Sequence, residues 1–315
     1  MKLKFLIILL AAILIPGMAS AQTFYKLGYC NGKVASEGNL EVDGAVAIET
    51  AIRLNASDLQ RFSGDVLAGV NAGLATKLNV LSLTAWVRES LDGENLADTV
   101  INLHSTQRPR TGWNVMEFKT PVAIETGKDY YVGYTVEQTK KSSVVSFVQG
   151  TSDHASFIKT PGNSWTDRKD LGVLSIEALI SGDNLPKHDL QLTDASFNAD
   201  YYLTGSMISL SYSVRNEGIE RVSNYTLKVW TKENPETVYE KRISQTLNYG
   251  IERTNLQTLV FEGLEPGQKY TFMAALEKPD GFDDETPADN QREICTIPVI
   301  DKIFTRTAIL EEFTT

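Results

Sequence analysis

Apolar and polar positions alternate in short runs along most of this chain, which is the spacing of β-strands with one buried face rather than of helices. The clearest run is Val46-Ala-Ile-Glu-Thr-Ala-Ile-Arg-Leu54. It puts Val46, Ile48, Thr50, Ile52 and Leu54 on one side of an extended strand, with Glu49 and Arg53 on the other. The same cadence predicts strands over 80–87, 99–104, 113–118, 130–136, 144–148 and 173–180. Turn clusters such as Leu91-Asp-Gly-Glu-Asn95 and Thr160-Pro-Gly-Asn-Ser164 separate them. Ser181-Gly-Asp-Asn-Leu-Pro-Lys187 holds a proline and no apolar period, which places a boundary there. Beyond it, seven more strands are expected near 189–197, 206–214, 226–231, 238–243, 258–261, 270–276 and 293–299. Seven short strands in about 110 residues is the size of an immunoglobulin-like sandwich. The pattern therefore predicts an all-β protein of two β-sandwiches in tandem, over 22–182 and 187–300.

The first 21 residues follow a different rule. Lys2 and Lys4 precede an apolar core from Phe5 to Ile15, a Pro16-Gly17 break and Ala19-Ser20-Ala21, the three-part form of a cleaved secretory signal over 1–21. The apolar core is roughly half the length of about 20 residues that a membrane span needs. No cysteine follows the cleavage point, so a lipoprotein route has nothing to acylate. The expectation is a secreted chain, in the periplasm or at the outer cell surface, with no membrane span once mature.

Cleavage removes Lys2 and Lys4 and leaves 28 basic residues against 40 acidic ones, a net charge of −12. Such a surface repels phosphate backbones, and the pairs Arg108/Arg110 and Lys140/Lys141 read as isolated solvated groups, so nucleic acid is excluded as a partner. Cys30 and Cys295 are the only cysteines, one at each end of the two-sandwich region. Two readings stay open: a Cys30–Cys295 disulfide, which needs Cα atoms within about 7 Å, or two thiols serving as small apolar side chains.

Four resemblances to known families are carried by the sequence. Leu264-Glu-Pro-Gly-Gln-Lys-Tyr270-Thr-Phe272 resembles the fibronectin-III segment in which a Pro-Gly turn leads to a tyrosine corner, and Ser209-Leu-Ser-Tyr-Ser-Val-Arg-Asn-Glu-Gly218 resembles the strand and Asn-x-Gly turn of CARDB-type domains. Leu59–Gly64, Thr111–Val115, Thr120–Gly127, Tyr130–Tyr134 and Asn163–Asp167 resemble the jelly-roll modules of Bacteroidetes surface proteins, cleaved-adhesin domains among them. That resemblance implies a module for attachment or spacing. The closing residues Thr305-Arg-Thr-Ala-Ile-Leu-Glu-Glu-Phe-Thr-Thr315 resemble the entry strand of the thioredoxin-like domain in Omp28-related secreted proteins, where a Cys-x-x-Cys pair follows. On that resemblance 301–315 is a remnant of a further domain.

The search for chemistry yields few groups. The sequence holds no Gly-x-Ser-x-Gly elbow, no His-Glu-x-x-His helix and no phosphate-cradling glycine loop. Asp153, His154 and Ser156 are too close along an extended chain to form a relay by themselves. Oxygen-rich loops suit calcium, and the loop from Asp280 to Asn290 offers Asp280, Asp283, Asp284 and Asp289 as ligands, although a polar turn needs no ion to be explained. Trp86, Trp113 and Trp230 fall inside strands and read as core or inter-sheet packing. Trp165 sits in a Gly-Asn-Ser-Trp-Thr-Asp loop and is the leading ligand contact, followed by Tyr130, Tyr131 and Tyr134.

These features predict a protein without enzymatic activity that binds a glycan or an envelope or host protein, or serves as a scaffold. The alternative is the N-terminal portion of a thiol–disulfide protein whose redox domain is missing.

Overall fold

The computed structural model describes residues 24–35, 40–236 and 238–301; the expected leader over 1–21 and the tail beyond Asp301 lie outside them. The first sandwich is built from β1 (Tyr25–Gly28), β2 (Val46–Leu54), β3 (Val66–Leu74), β4 (Val80–Arg88), β5 (Ala97–Asn102), β6 (Gly112–Ala123) and β7 (Tyr130–Gln138), with shorter strands after them. One sheet runs β1, Ile176–Ser181, β3, β6. The other runs Thr166–Asp167, Phe157–Lys159, β2, β7, β4, β5. The chain crosses between sheets from β2 to β3, β3 to β4, β5 to β6 and β6 to β7, which is the winding of a jelly roll.

The alternation in β2 is obeyed as read: Ile48 and Ile52 face the core with Leu83, Val132 and Val136 from the same sheet, against Val70, Met116 and Ile176 from the opposite one. Strand β3 was not expected, because its residues are buried on both faces and the sequence Val-Leu-Ala-Gly-Val-Asn-Ala-Gly-Leu has no alternation to detect. Its glycines answer to neighbours. A Cβ on Gly69 would meet the Met116 carbonyl, and one on Gly73 would lie 2.9 Å from the Ser175 carbonyl oxygen.

In the second sandwich a three-stranded sheet, ordered Leu190–Phe197, Ile208–Asn216, Glu252–Leu259, faces a five-stranded one. The latter runs Tyr202–Leu203, Gln291–Ile300, Lys269–Glu277, Val222–Thr231, Val238–Leu247. Leu210, Tyr212 and Val214 pack against Leu227, Val229 and Phe272. The Asn-x-Gly turn forms as read, with the Asn216 side-chain carbonyl accepting from Gly218 N–H at 3.1 Å.

Both sandwiches contain the same tyrosine corner. Glu265 N–H donates to the Tyr270 hydroxyl at 3.1 Å, and Glu125 N–H donates to the Tyr130 hydroxyl at 3.2 Å. Between each pair a glycine, Gly267 or Gly127, turns the chain at positive φ, where a side chain would be strained.

The 181–187 stretch is a joint with defined contacts on both sides. Leu185 is buried in the first core, while the Pro186 and Lys187 carbonyls accept from Ile219 N–H and Glu220 N–H of the second sandwich. Around it, Lys26 N–H donates to the Tyr249 hydroxyl at 2.6 Å, and Arg61 pairs with Glu285 at 2.9 Å. Glu285 also accepts from the backbone N–H groups of Lys187 and His188. Burial disfavours the charged form of Glu285, but these donors and Arg61 outweigh it and hold the carboxyl below its ordinary value.

Candidate functional site

The seam between the sandwiches encloses a cleft of about 190 Å³, with Tyr25, Glu177, Asp189, Arg215, Glu217 and Asp289 among its walls. Carboxylates outnumber cations there, and Arg215 is already engaged, with its Nε 3.0 Å from Glu217 Oε1. Burial raises the Glu177 carboxyl above its ordinary value by more than the Asn71 amide, Lys26 and Arg215 lower it. Because its folded pKa lies above the unfolded one, ionising Glu177 weakens the fold as pH climbs through that interval. Glu177→Gln is therefore expected to melt higher than wild type near pH 7 and level with it near pH 4. Melting curves at the two pH values check this, and an equal change at both would count against it.

At one edge of the cleft, Asp189, Asp284 and Asp289 each bring a carboxylate oxygen within 4.8 Å of the others. Asp189 enters from the start of the second sandwich, two residues past the joint. The other two come from the loop after the Lys269–Glu277 strand, held in place by backbone donors. Asp284 accepts from Leu190 N–H at 2.9 Å and Thr286 N–H at 3.0 Å, and the Asp289 carbonyl accepts from Leu192 N–H at 3.1 Å. Thr286 donates its hydroxyl to Asp189 Oδ2 at 2.9 Å. Burial, opposed by that hydroxyl and reinforced by the neighbouring aspartates, pushes the Asp189 carboxyl up to about 7. Asp289 is raised to about 6 by burial, Asp284 and Glu217.

The loop residues expected to share an ion thus divide. Asp284 and Asp289 converge, whereas Asp280 accepts from Ser223 N–H, Asn224 N–H and the Asn224 amide at 2.8–3.1 Å and pins the loop to the Val222–Thr231 strand. Asp283 pairs with Lys278 in solvent. Asp189 was missed as a partner because nearly a hundred residues separate it from the loop, and its local sequence reads only as a strand entry.

The expected ligand contacts divide in the same way. Tyr130 and Tyr134 are 1% and 0% exposed, because alternation along β7 turns them inward with Val132 and Val136, so neither can meet a ligand. The outward neighbour Tyr131 instead lies edge-on to Phe157 at 5.9 Å. Trp165 is half-buried on the outer face of the six-stranded sheet, edge-on to Trp86 at 6.2 Å, with Lys159 Nζ 5.8 Å from its ring centre. Trp86 is fully buried, as expected of a core residue, but it lies on this outer face and not between the sheets. Trp230 is half-buried beneath Lys228, and Trp113 packs beside Cys30 and Ala155, so neither belongs to the two main cores.

Both cysteines are free. Cys30 is buried in a small cluster with Ala155 and Val173, while Cys295 opposes Phe272 in the second sandwich, so the disulfide considered from the sequence is not formed. Burial, with Glu177 adding, pushes the Cys30 thiol up to about 12, and burial raises Cys295 too. Thiol–disulfide chemistry needs the opposite shift. Asp153 pairs with Lys169, and the Ser156 hydroxyl donates to the Gly172 carbonyl, so the triplet around His154 is dispersed into structural contacts.

No protein-family model matches the sequence, and no curated protein does. Among solved structures, the CARDB domain of a Pyrococcus furiosus protein is 16% identical; the match covers 36% of this chain and 99% of that one at a TM-score of 0.27. The same domain crystallised with di-metal ions matches over 37% of this chain and 90% of that one, at the same identity and TM-score. A family 2 β-galacturonidase from Eisenbergiella tayi is 13% identical over 81% of this chain, with a TM-score of 0.27. This chain spans 34% of that enzyme's length. Likenesses of this size carry no argument, and every residue's role is argued from this chain.

Proposed function

We propose that this protein is an exported, non-catalytic pair of β-sandwiches, over 22–182 and 187–300, that binds a glycan at the bacterial envelope through the outer face of its six-stranded sheet. The observation that carries the reading is the strip of aromatic and charged side chains on that face. Trp165 and Tyr131 are partly open there, and Arg53, Arg88, Lys159 and Glu49 stand beside them. Sugar recognition combines an aromatic surface for C–H faces with charged and polar groups for hydroxyls. Glu49 anchors the strip by pairing with Arg88 at 2.9 Å, which leaves the arginine spread over Trp86.

A glycan array probed with the expressed chain and with Trp165→Ala, together with a pull-down from envelope extract, tests the reading. Binding by wild type that falls about tenfold in a folded Trp165→Ala variant is expected. Silence on the array, or binding untouched by the substitution, would remove the glycan reading and leave a protein partner or a spacer role.

A further inference from the structure

The seam carries a second feature, independent of the glycan reading. Asp189 is 3% exposed, and its Oδ1 is buried with no hydrogen-bond donor, although Oδ2 receives the Thr286 hydroxyl. Asp289 Oδ1 is buried and without a donor as well. Buried oxygens are almost always paired, and two unpaired carboxylate oxygens in one cluster of like charges indicate a missing positive partner. Two cations at the seam are committed elsewhere: Arg61 to Glu285 and Arg215 to Glu217.

We propose that Asp189, Asp284 and Asp289 form a calcium site that ties the entry of the second sandwich, just past the joint, to the loop around 284–289. Calcium binds oxygens at about 2.3–2.6 Å, so two of its ligands stand at most about 5 Å apart. The three carboxylates meet that limit, with one oxygen of each within 4.8 Å of the others. Calcium is a hard cation served by oxygen ligands, and this cluster offers oxygen alone. The backbone donors to Asp284 and the hydroxyl on Asp189 fix two of the ligands in place. Since Asp189 adjoins the joint and the loop also holds Glu285, the ion would stiffen the attachment of one sandwich to the other.

Calorimetric titration of the expressed chain, stripped with EDTA and then dialysed, is the test. Calcium chloride is expected to bind at one site per chain, and saturation to raise Tm by about 5 °C. Asp189→Asn and Asp289→Asn should each weaken calcium binding by at least about tenfold. In EDTA both should melt no lower than wild type, because each removes one of three crowded like charges. Asp283→Asn should bind calcium as wild type does. No heat and no Tm shift at about 10 mM calcium, full binding by Asp189→Asn, or a lower melt of both variants in EDTA would overturn the proposal.

Discussion

Trp86→Ala is expected to lower the stability of this protein by about 3–5 kcal/mol, an effect as large as removing an aromatic residue from a main core. Leu83, Ala85 and Val87 of the same strand face the inter-sheet core, so alternation puts Trp86 on the outside, yet it is 0% exposed. The cross-strand partner explains how. Trp86 is paired with Gly133, and a Cβ at Gly133 would come 2.8 Å from Trp86 Cη2, so the glycine leaves the indole room to lie flat on the sheet. The Arg88 guanidinium covers the ring at 3.8 Å from its centre, Trp165 closes one edge, and the indole N–H donates to the Thr135 hydroxyl at 3.1 Å. Truncation would open a cavity under Arg88 and leave a glycine unsupported in a central strand. Urea unfolding measures the change, and a loss below about 1 kcal/mol would mean the cover collapses onto the sheet without cost.

That cluster also marks the limit of what the sequence reveals. The outward position of Trp86 follows from counting along β4, but its burial depends on Gly133 and Arg88, and Gly133 lies on another strand. Where one face stays open to solvent, the pattern is legible: Val46–Leu54 is read to the residue, and the strands ending at Thr231 and beginning at Val238 are read to those ends. It failed at β3, where both faces are covered and small residues replace the usual alternation. The two tyrosine corners show a different failure. Glu265-Pro-Gly-Gln-Lys-Tyr270 was recognised through its proline. Glu125-Thr-Gly-Lys-Asp-Tyr130 has the same Glu, Gly and Tyr spacing without the proline, and Tyr130 was read as a ligand contact. The acidic cluster was half legible for the same reason as Trp86. Asp284 and Asp289 are neighbours in sequence, and Asp189 joins them only through the fold.

Asp65→Ala is expected to cost about 2–3 kcal/mol and to open the joint between the sandwiches to proteolysis. Asp65 is 3% exposed, and its carboxylate accepts from Asp183 N–H at 3.0 Å, Asn184 N–H at 3.3 Å and the Asn184 amide at 3.1 Å. Its own backbone is held by the first sandwich, donating to the Phe62 carbonyl and accepting from Ile124 N–H. One buried carboxylate therefore fastens the polar stretch that sequence pattern marks as a linker. Alanine would leave these donors in a site that water reaches poorly, and hydrogen bonds to a charged acceptor are among the stronger ones. Asp65→Asn keeps one acceptor oxygen in place of two and should fall between wild type and alanine. Limited proteolysis under native conditions reads the joint directly: cleavage within 181–187 should speed up in Asp65→Ala and separate two fragments that each retain β-structure by circular dichroism. A variant as stable and as resistant as wild type would show that Leu185 burial and the Pro186 and Lys187 carbonyl contacts hold the joint without the carboxylate.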